Sequence, residues 1–145
     1  EANGVDALFR TARLRRVEAI ARARARELIE MVGLTRYADV PPSILSYGQK
    51  KLVALIAALM PKPRLVILDE PVAGVNPTRV REIEAVIRQL RAAGETFLVI
   101  EHNMEFIMNL CDRVIVLVQG RKLLEGRPEA VHADPRVLEA YLGVA

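Results

Sequence analysis

Asp69 and Glu70 are adjacent acids that directly follow the apolar run Leu65-Val66-Ile67-Leu68. The run has the length and β-branched content of a fully buried parallel strand, and Pro61 and Pro63 separate it from whatever helix precedes it. Both carboxylates then emerge at a strand's carboxyl end, where open α/β sheets bind ligands, and suit a metal ion and an activated water. The plainer alternative is a strand that simply ends in polar residues. A second group lies upstream, at Leu45-Ser46-Tyr47-Gly48-Gln49. Ser46 can cap a helix reaching to about Met60, whose first-turn N–H groups and dipole favour an anion, and Gly48 leaves room for close approach. Here the plain alternative is an ordinary serine cap with a glycine nearby. His102 is the third group, reached through Glu101 at the end of the next apolar run.

The elements that must position these groups read as follows. Val17, Ile20, Ala21, Leu28 and Met31 form a helical stripe over about Arg15–Val32, ended by Gly33 as a left-handed cap. Residues 1–14 are ambiguous, with a short helix through Leu8 and Phe9 as one reading. Pro41-Pro42 is a stiff connector, and the next helix carries a continuous apolar face at Leu52, Val53, Leu55, Ile56 and Leu59 that predicts covering on several sides. Asn76 and Pro77 have the cap and first-turn pattern of a helix with Val80, Ile83, Ile87 and Leu90 on one face, ended by Gly94. Thr96–Ile100 is the next strand. Strand, crossover helix and strand form a right-handed parallel unit that brings His102 beside Asp69 and Glu70. Asn103 caps a short helix to about Leu110, Arg113–Val118 is a third strand, and Gln119-Gly120 is a hairpin turn into Lys122–Leu124. Two terminal helices open near Pro128 and Asp134 and close at Gly143.

At 145 residues and 52% hydrophobic content the chain fits one modest domain with an ample core. No apolar run approaches the ~20 residues needed to cross a bilayer, and no signal-peptide pattern opens the chain, so a soluble, cytoplasmic protein is expected. The single cysteine, Cys111, excludes an intrachain disulfide and a cysteine zinc site, and is read as core filling beside Leu110. The formal charge of +3 is uneven, with Arg10, Arg13, Arg15, Arg16, Arg22, Arg24 and Arg26 crowded into the first stretch. A basic helix can meet nucleic acid or lipid, but no aromatic residue is interleaved for base stacking and no apolar face suits insertion. A solvated helix face is the expectation, with no direct nucleic-acid contact. His132 attracts no functional reading.

LSYGQ at 45–49, LVILDEP at 65–71, AGVNP at 73–77 and Glu101-His102 resemble, in order, the signature motif, Walker B motif, D-loop and switch histidine of ATP-binding cassette (ABC) ATPases. Tyr47, Asn76-Pro77, EHNM at 101–104 and the closing DPRVLEAYLG at 134–143 resemble most the ATPase subunits of branched-chain amino-acid importers. The resemblance implies an α/β fold, the C-terminal part of a P-loop NTPase with parallel strands and flanking helices. Residues 1–45 would belong to the helical subdomain and 46–145 to the ATPase core. It also implies that Asp69 holds Mg2+, that Glu70 polarises the water attacking the γ-phosphate of ATP, and that His102 contacts that phosphate. Ser46, Tyr47, Gly48 and Gln49 would meet the nucleotide of the opposite subunit, and Gly74 and Asn76 would form the D-loop across the dimer. Asn76 stands where that loop usually has aspartate, a departure from the family pattern that bears on any charge-dependent role there. Implied partners are a second ATPase subunit and membrane-spanning permease subunits, which select the solute and hold the ATPase at the inner face of the membrane.

A Walker A loop needs Gly-Lys-Ser/Thr, yet none of Lys50, Lys51, Lys62 and Lys122 follows glycine. The chain therefore reads as the C-terminal part of a longer subunit and is expected to be inactive alone. Two alternatives stay open: a non-transport ABC ATPase acting on nucleic acid or ribosomes, and a non-catalytic interaction module. In the fold that the chain resembles, the Walker A strand lies between the strands at 96–100 and 113–118. Without it Val99, Val114 and Val116 would lie on unpaired strand edges, so either the last strand moves to close the gap or, the favoured outcome, the chain self-associates.

Overall fold

The computed structural model describes residues 4–142, and the side chains of residues 11–140. Helix α1 runs unbroken over Gly4–Met31, so the two segments expected there are one helix. It ends in a Schellman motif: Gly33, at φ +68°, donates to the carbonyl of Glu30, and Leu34 donates to that of Ile29. The expected stripe is not a buried face. Only the last turns, at Leu28, Ile29, Met31 and Val32, reach the core, while Leu14, Val17 and Ile20 are exposed because nothing among the described residues packs on that length of helix. The exposed pair Arg22–Glu18 lines it as on a solvated helix face, while in the pair Arg24–Glu27 the arginine is half-buried.

Two short 3-10 turns, Thr35–Tyr37 and Pro42–Ile44, lead to α2, Tyr47–Leu59. Leu52, Leu55, Ile56 and Leu59 of α2 are buried against the end of α1, but Ala54, Ala57 and Ala58 are exposed, so the helix is covered on one side and not on several. Strand β1, Val66–Asp69, pairs in parallel with β2, Phe97–Ile100, through the crossover helix α3, Pro77–Ala92. The register sets Val66 against Phe97 and Asp69 against Ile100. Ile83, Val86, Ile87 and Leu90 bury the inner face of α3. Helix α4, Met104–Leu110, contributes Phe106, the largest fully buried side chain, and packs on α3.

Strands β3, Val114–Val118, and β4, Arg121–Gly126, form a separate antiparallel hairpin with a bulge between Val116 and Leu117. Gln119 and Gly120 both take left-handed φ values, 48° and 74°, as a two-residue hairpin turn with the twist of its strands requires. Helices α5, Pro128–His132, and α6, Pro135–Leu142, follow, and Asp134 Oδ1 accepts from the Arg136 amide at the start of α6. Gly143, the expected stop, lies outside the described residues. Cys111 packs half-buried against the core, and burial pushes its thiol pKa up.

Three expectations about the strands need correction. β1 is not fully buried: Val66 is, but Ile67 is 60% exposed, because one face of the β1–β2 pair has no covering element among the described residues. The last strand has not moved to close a gap, since β3 pairs with β4 and not with β2. The exposed apolar side chains are also not the three valines. Val99, Val114 and Val116 are half-buried on the inner faces, whereas their alternating neighbours Leu98, Ile100, Ile115 and Leu117 face outward.

Candidate functional site

The carboxyl ends of β1 and β2 are level, and the ladder continues one step beyond them: the Glu70 amide donates to the Ile100 carbonyl at 2.9 Å. Glu70 then turns at φ 45°, a left-handed conformation uncommon for a residue with a side chain and found where surrounding contacts hold it. One such contact comes from α2, where Lys51 Nζ donates to the Glu70 carbonyl at 2.9 Å while lying 5.7 Å from the centre of the Tyr47 ring. The turned backbone sends the Glu70 carboxylate to the solvent side, 3.4 Å from His102 Nδ1. Both side chains are open to solvent, Glu70 at 55% and His102 at 74%. The predicted meeting of these two groups on one sheet edge is what the fold delivers.

Glu101 attracts no role from its residue type alone, yet its carboxylate holds the two loops together. Its side chain is 1% exposed. Oε1 accepts from the Val72 amide at 3.1 Å, and Oε2 accepts from the amides of His102 at 2.9 Å and Asn103 at 3.1 Å. Oε2 also lies 3.7 Å from His102 Nδ1. The available signal was an acid at the end of a strand followed by a helix-capping asparagine, since Asn103 Oδ1 accepts from Phe106 N.

At the start of α2, Ser46 and Gln49 form a reciprocal capping box. Gln49 N donates to Ser46 Oγ at 3.3 Å, and Ser46 N donates to Gln49 Oε1 at 2.8 Å. Gln49 is thereby buried, and its side chain also hydrogen-bonds Tyr37, which lowers the tyrosine pKa. Ser46 and Tyr47 remain exposed. Gly48 is buried for a reason internal to the chain: a Cβ there would lie 3.3 Å from Cβ and Cγ of Arg79, so the glycine lets α2 and the start of α3 approach. Gly74, at φ +70°, turns the loop after β1 past the Tyr47 ring, 3.6 Å from where its Cβ would sit. Asn76 is the cap of α3, its Oδ1 accepting from Arg79 N at 3.0 Å. Thus Tyr47, Gly48, Gly74 and Asn76 share one region, while Gln49 turns inward.

Asp69 stands exposed at the end of β1. Among the described residues no group of three His, Cys, Asp or Glu side chains converges as a metal cage. The exposed carboxylates of Asp69 and Glu70 at the end of β1 suit a magnesium ion, which keeps several waters and takes one or two carboxylates together with substrate phosphates.

A parallel strand–helix–strand unit with acids at its carboxyl edge, next to a capped helix N-terminus, is an open α/β arrangement of the kind that binds ligands at its strand ends. Residues 3–73 match the family model described as "ABC transporter", and residues 121–145 match that described as "Branched-chain amino acid ATP-binding cassette transporter". The chain is similar to the high-affinity branched-chain amino acid transport ATP-binding protein BraF of Pseudomonas aeruginosa, 38% identical over 144 residues, which cover 99% of this chain and 56% of that protein. It is also similar to the lipopolysaccharide export system ATP-binding protein LptB of Acidithiobacillus ferridurans, 36% identical over 98% of this chain and 58% of that protein. The crystal structure of the ADP conformation of MJ1267, an ATP-binding cassette of an ABC transporter, superposes with a TM-score of 0.78 at 37% identity, covering 83% of this chain and 49% of that one. The chain belongs to the ABC transporter ATP-binding protein family, and it spans about half the length of the relatives it matches.

Proposed function

We propose that this chain supplies the signature motif, the Walker B carboxylates and the switch histidine of an ATPase subunit that drives import of branched-chain amino acids. The observation that carries the reading is the Glu70–His102 approach of 3.4 Å at the carboxyl ends of two adjoining parallel strands. In hydrolysis Glu70 takes a proton from a water whose oxygen attacks the γ-phosphorus of ATP, and the bond to the β–γ bridging oxygen breaks. His102 holds its imidazole against Glu70 and offers the other ring nitrogen to the phosphate. Asp69 would hold Mg2+, which supplies charge neutralisation to the phosphates when bound. Ser46 and Tyr47, exposed at the start of α2, face the nucleotide held by a second ATPase subunit, with Gly74 and Asn76 in the loop between the two subunits. Gly48 and Gln49 shape that surface from behind.

None of these 145 residues forms a Gly-Lys-Ser/Thr loop, and the ATP and Mg2+ binding proposed is that of a subunit in which such a loop accompanies them. No helix among the described residues is long and apolar enough to cross a membrane, which suits a subunit held at the inner membrane face by permease partners. Left alone, the chain meets a second copy through its uncovered sheet face and unpaired strand edges. The match of residues 121–145 supports amino-acid import over lipopolysaccharide export. Energised uptake of radiolabelled leucine, isoleucine and valine by cells with and without the subunit tests this. Uptake lost on deletion, and not restored by a Glu70→Gln copy, is the expected result. Unchanged uptake of all three would refute the assignment.

A further inference from the structure

We infer that Glu101 is a positioning residue for hydrolysis, a buried carboxylate that clamps the loop carrying Glu70 to the loop carrying His102. This rests on the proposed roles of those two residues. A carboxylate inside a protein needs hydrogen-bond donors to offset the loss of water, and donors from two separate segments tie those segments together. Glu101 meets both conditions: it draws one amide, Val72, from two residues past Glu70, and two amides, His102 and Asn103, from its own loop. Val72 is buried as well, so the anchored end of the Glu70 turn is fixed by packing and by this bond. The Glu70 turn is then held at three points, by Ile100 through its own amide, by Lys51 through its carbonyl and by Glu101 through Val72.

The same clamp sets the imidazole. Glu101 Oε2 accepts from the backbone amide of His102 and lies 3.7 Å from its Nδ1, while Glu70 Oε1 lies 3.4 Å from that nitrogen. Both carboxylates face the same ring nitrogen, and so fix which way the ring turns. No neutral side chain can replace Glu101. Glutamine keeps one acceptor oxygen and turns its NH2 toward at least one of the three amides, placing donor against donor. Aspartate is shorter by one methylene and cannot span from β2 to Val72.

The test has two arms. In the 145-residue chain, hydrogen exchange resolved to single amides is compared for wild type, Glu101→Gln and Glu101→Ala. Faster exchange at Val72, His102 and Asn103, with the amides inside α2 and α3 unchanged, is expected. Uniform acceleration throughout would mean that Glu101 only supports the fold, and would overturn the inference. In the full-length subunit, Glu101→Gln should lower kcat by about 10- to 100-fold, the scale of a 1 Å misplacement of reacting groups, with KM for ATP changed less than about twofold. Wild-type kcat in Glu101→Gln alongside a collapsed kcat in Glu70→Gln would overturn the clamp and leave the proposed function standing. A full-length subunit whose turnover is insensitive to Glu70→Gln would overturn both.

Discussion

Removing either half of the capping box at the start of α2 separates a folding role from a nucleotide role. Ser46→Ala deletes the hydroxyl that accepts from Gln49 N at 3.3 Å, a long bond at an exposed site where water can take over. An N-cap serine is worth about 0.5–2 kcal/mol, and that geometry places Ser46 near the lower end, at about 0.5–1 kcal/mol. Gln49→Ala removes more. It strips the partner of Ser46 N at 2.8 Å together with the carboxamide and the γ-methylene of a side chain that is only 6% exposed. An orphaned donor costs about 1–3 kcal/mol, and each buried methylene adds about 0.8. Unfolding entropy of about 2.1 cal/mol/K per residue converts 1 kcal/mol into roughly 3 °C for a chain of this size. Thermal melts by circular dichroism, at matched protein concentration, should therefore show Tm falling by about 2–3 °C for Ser46→Ala and by more than about 5 °C for Gln49→Ala. A larger loss for Ser46→Ala than for Gln49→Ala would refute the assignment of Gln49 to the inside. The small cost at Ser46 also makes it a clean probe, since a collapse of ATPase turnover in the full-length Ser46→Ala subunit would report lost nucleotide contact and not lost fold.

Three further outcomes follow from the same geometry. The outward Ile67, Leu98, Ile100, Ile115 and Leu117 should make the chain self-associate, and Ile67→Lys should weaken association by about tenfold or more, given ~1.5–3 kcal/mol for burying such a side chain; light scattering that gives a stable 16.1 kDa wild-type monomer at micromolar concentrations would contradict this. The 145-residue chain alone should not bind Mg-ATP at micromolar strength, because a helix terminus supplies at most about 2 kcal/mol where about 8 are needed; calorimetry showing micromolar binding would refute it. The side-chain hydrogen bonds from Arg136 hold the Asp134 pKa below its ordinary value, so their contribution to stability is present above the unfolded value near 3.9 and disappears as pH falls through the lower folded one. Asp134→Asn should accordingly lose stability at neutral pH and match the wild type in strong acid, as denaturant melts across pH would show, whereas a pH-independent difference would rule out the ion pair as the cause.

Local chemistry was the legible layer of this sequence. Ser46, Asn76 with Pro77, Asn103, and Gln119 with Gly120 each specify a cap or turn through bonds spanning a few residues, and the structure has each of them. The parallel β1–β2 pair also followed, since β-branched runs around a helix of crossover length leave few other arrangements. Burial was misread for a physical reason. Periodicity in Val17 and Ile20, or apolarity in Ile67, records what a side chain would gain from being covered and not whether a covering element is present. The contacts that shape the site join residues far apart in sequence: Lys51 to Glu70, Glu101 to Val72, and Arg79 over Gly48. Gly48 was read as room for a phosphate, and here that room is filled by the Arg79 stem.

The central claim is that Glu70, set beside His102 by the paired ends of β1 and β2, is the base for ATP hydrolysis in the subunit containing this chain. Turnover and equilibrium nucleotide binding, measured together on the wild-type and Glu70→Gln full-length subunits, test it most directly. A positioned general base is worth about 10²–10⁴ in rate, so Glu70→Gln should lower kcat by at least that factor while Mg-ATP affinity stays within about threefold of the wild type. Near-normal turnover in the Glu70→Gln subunit would contradict the account.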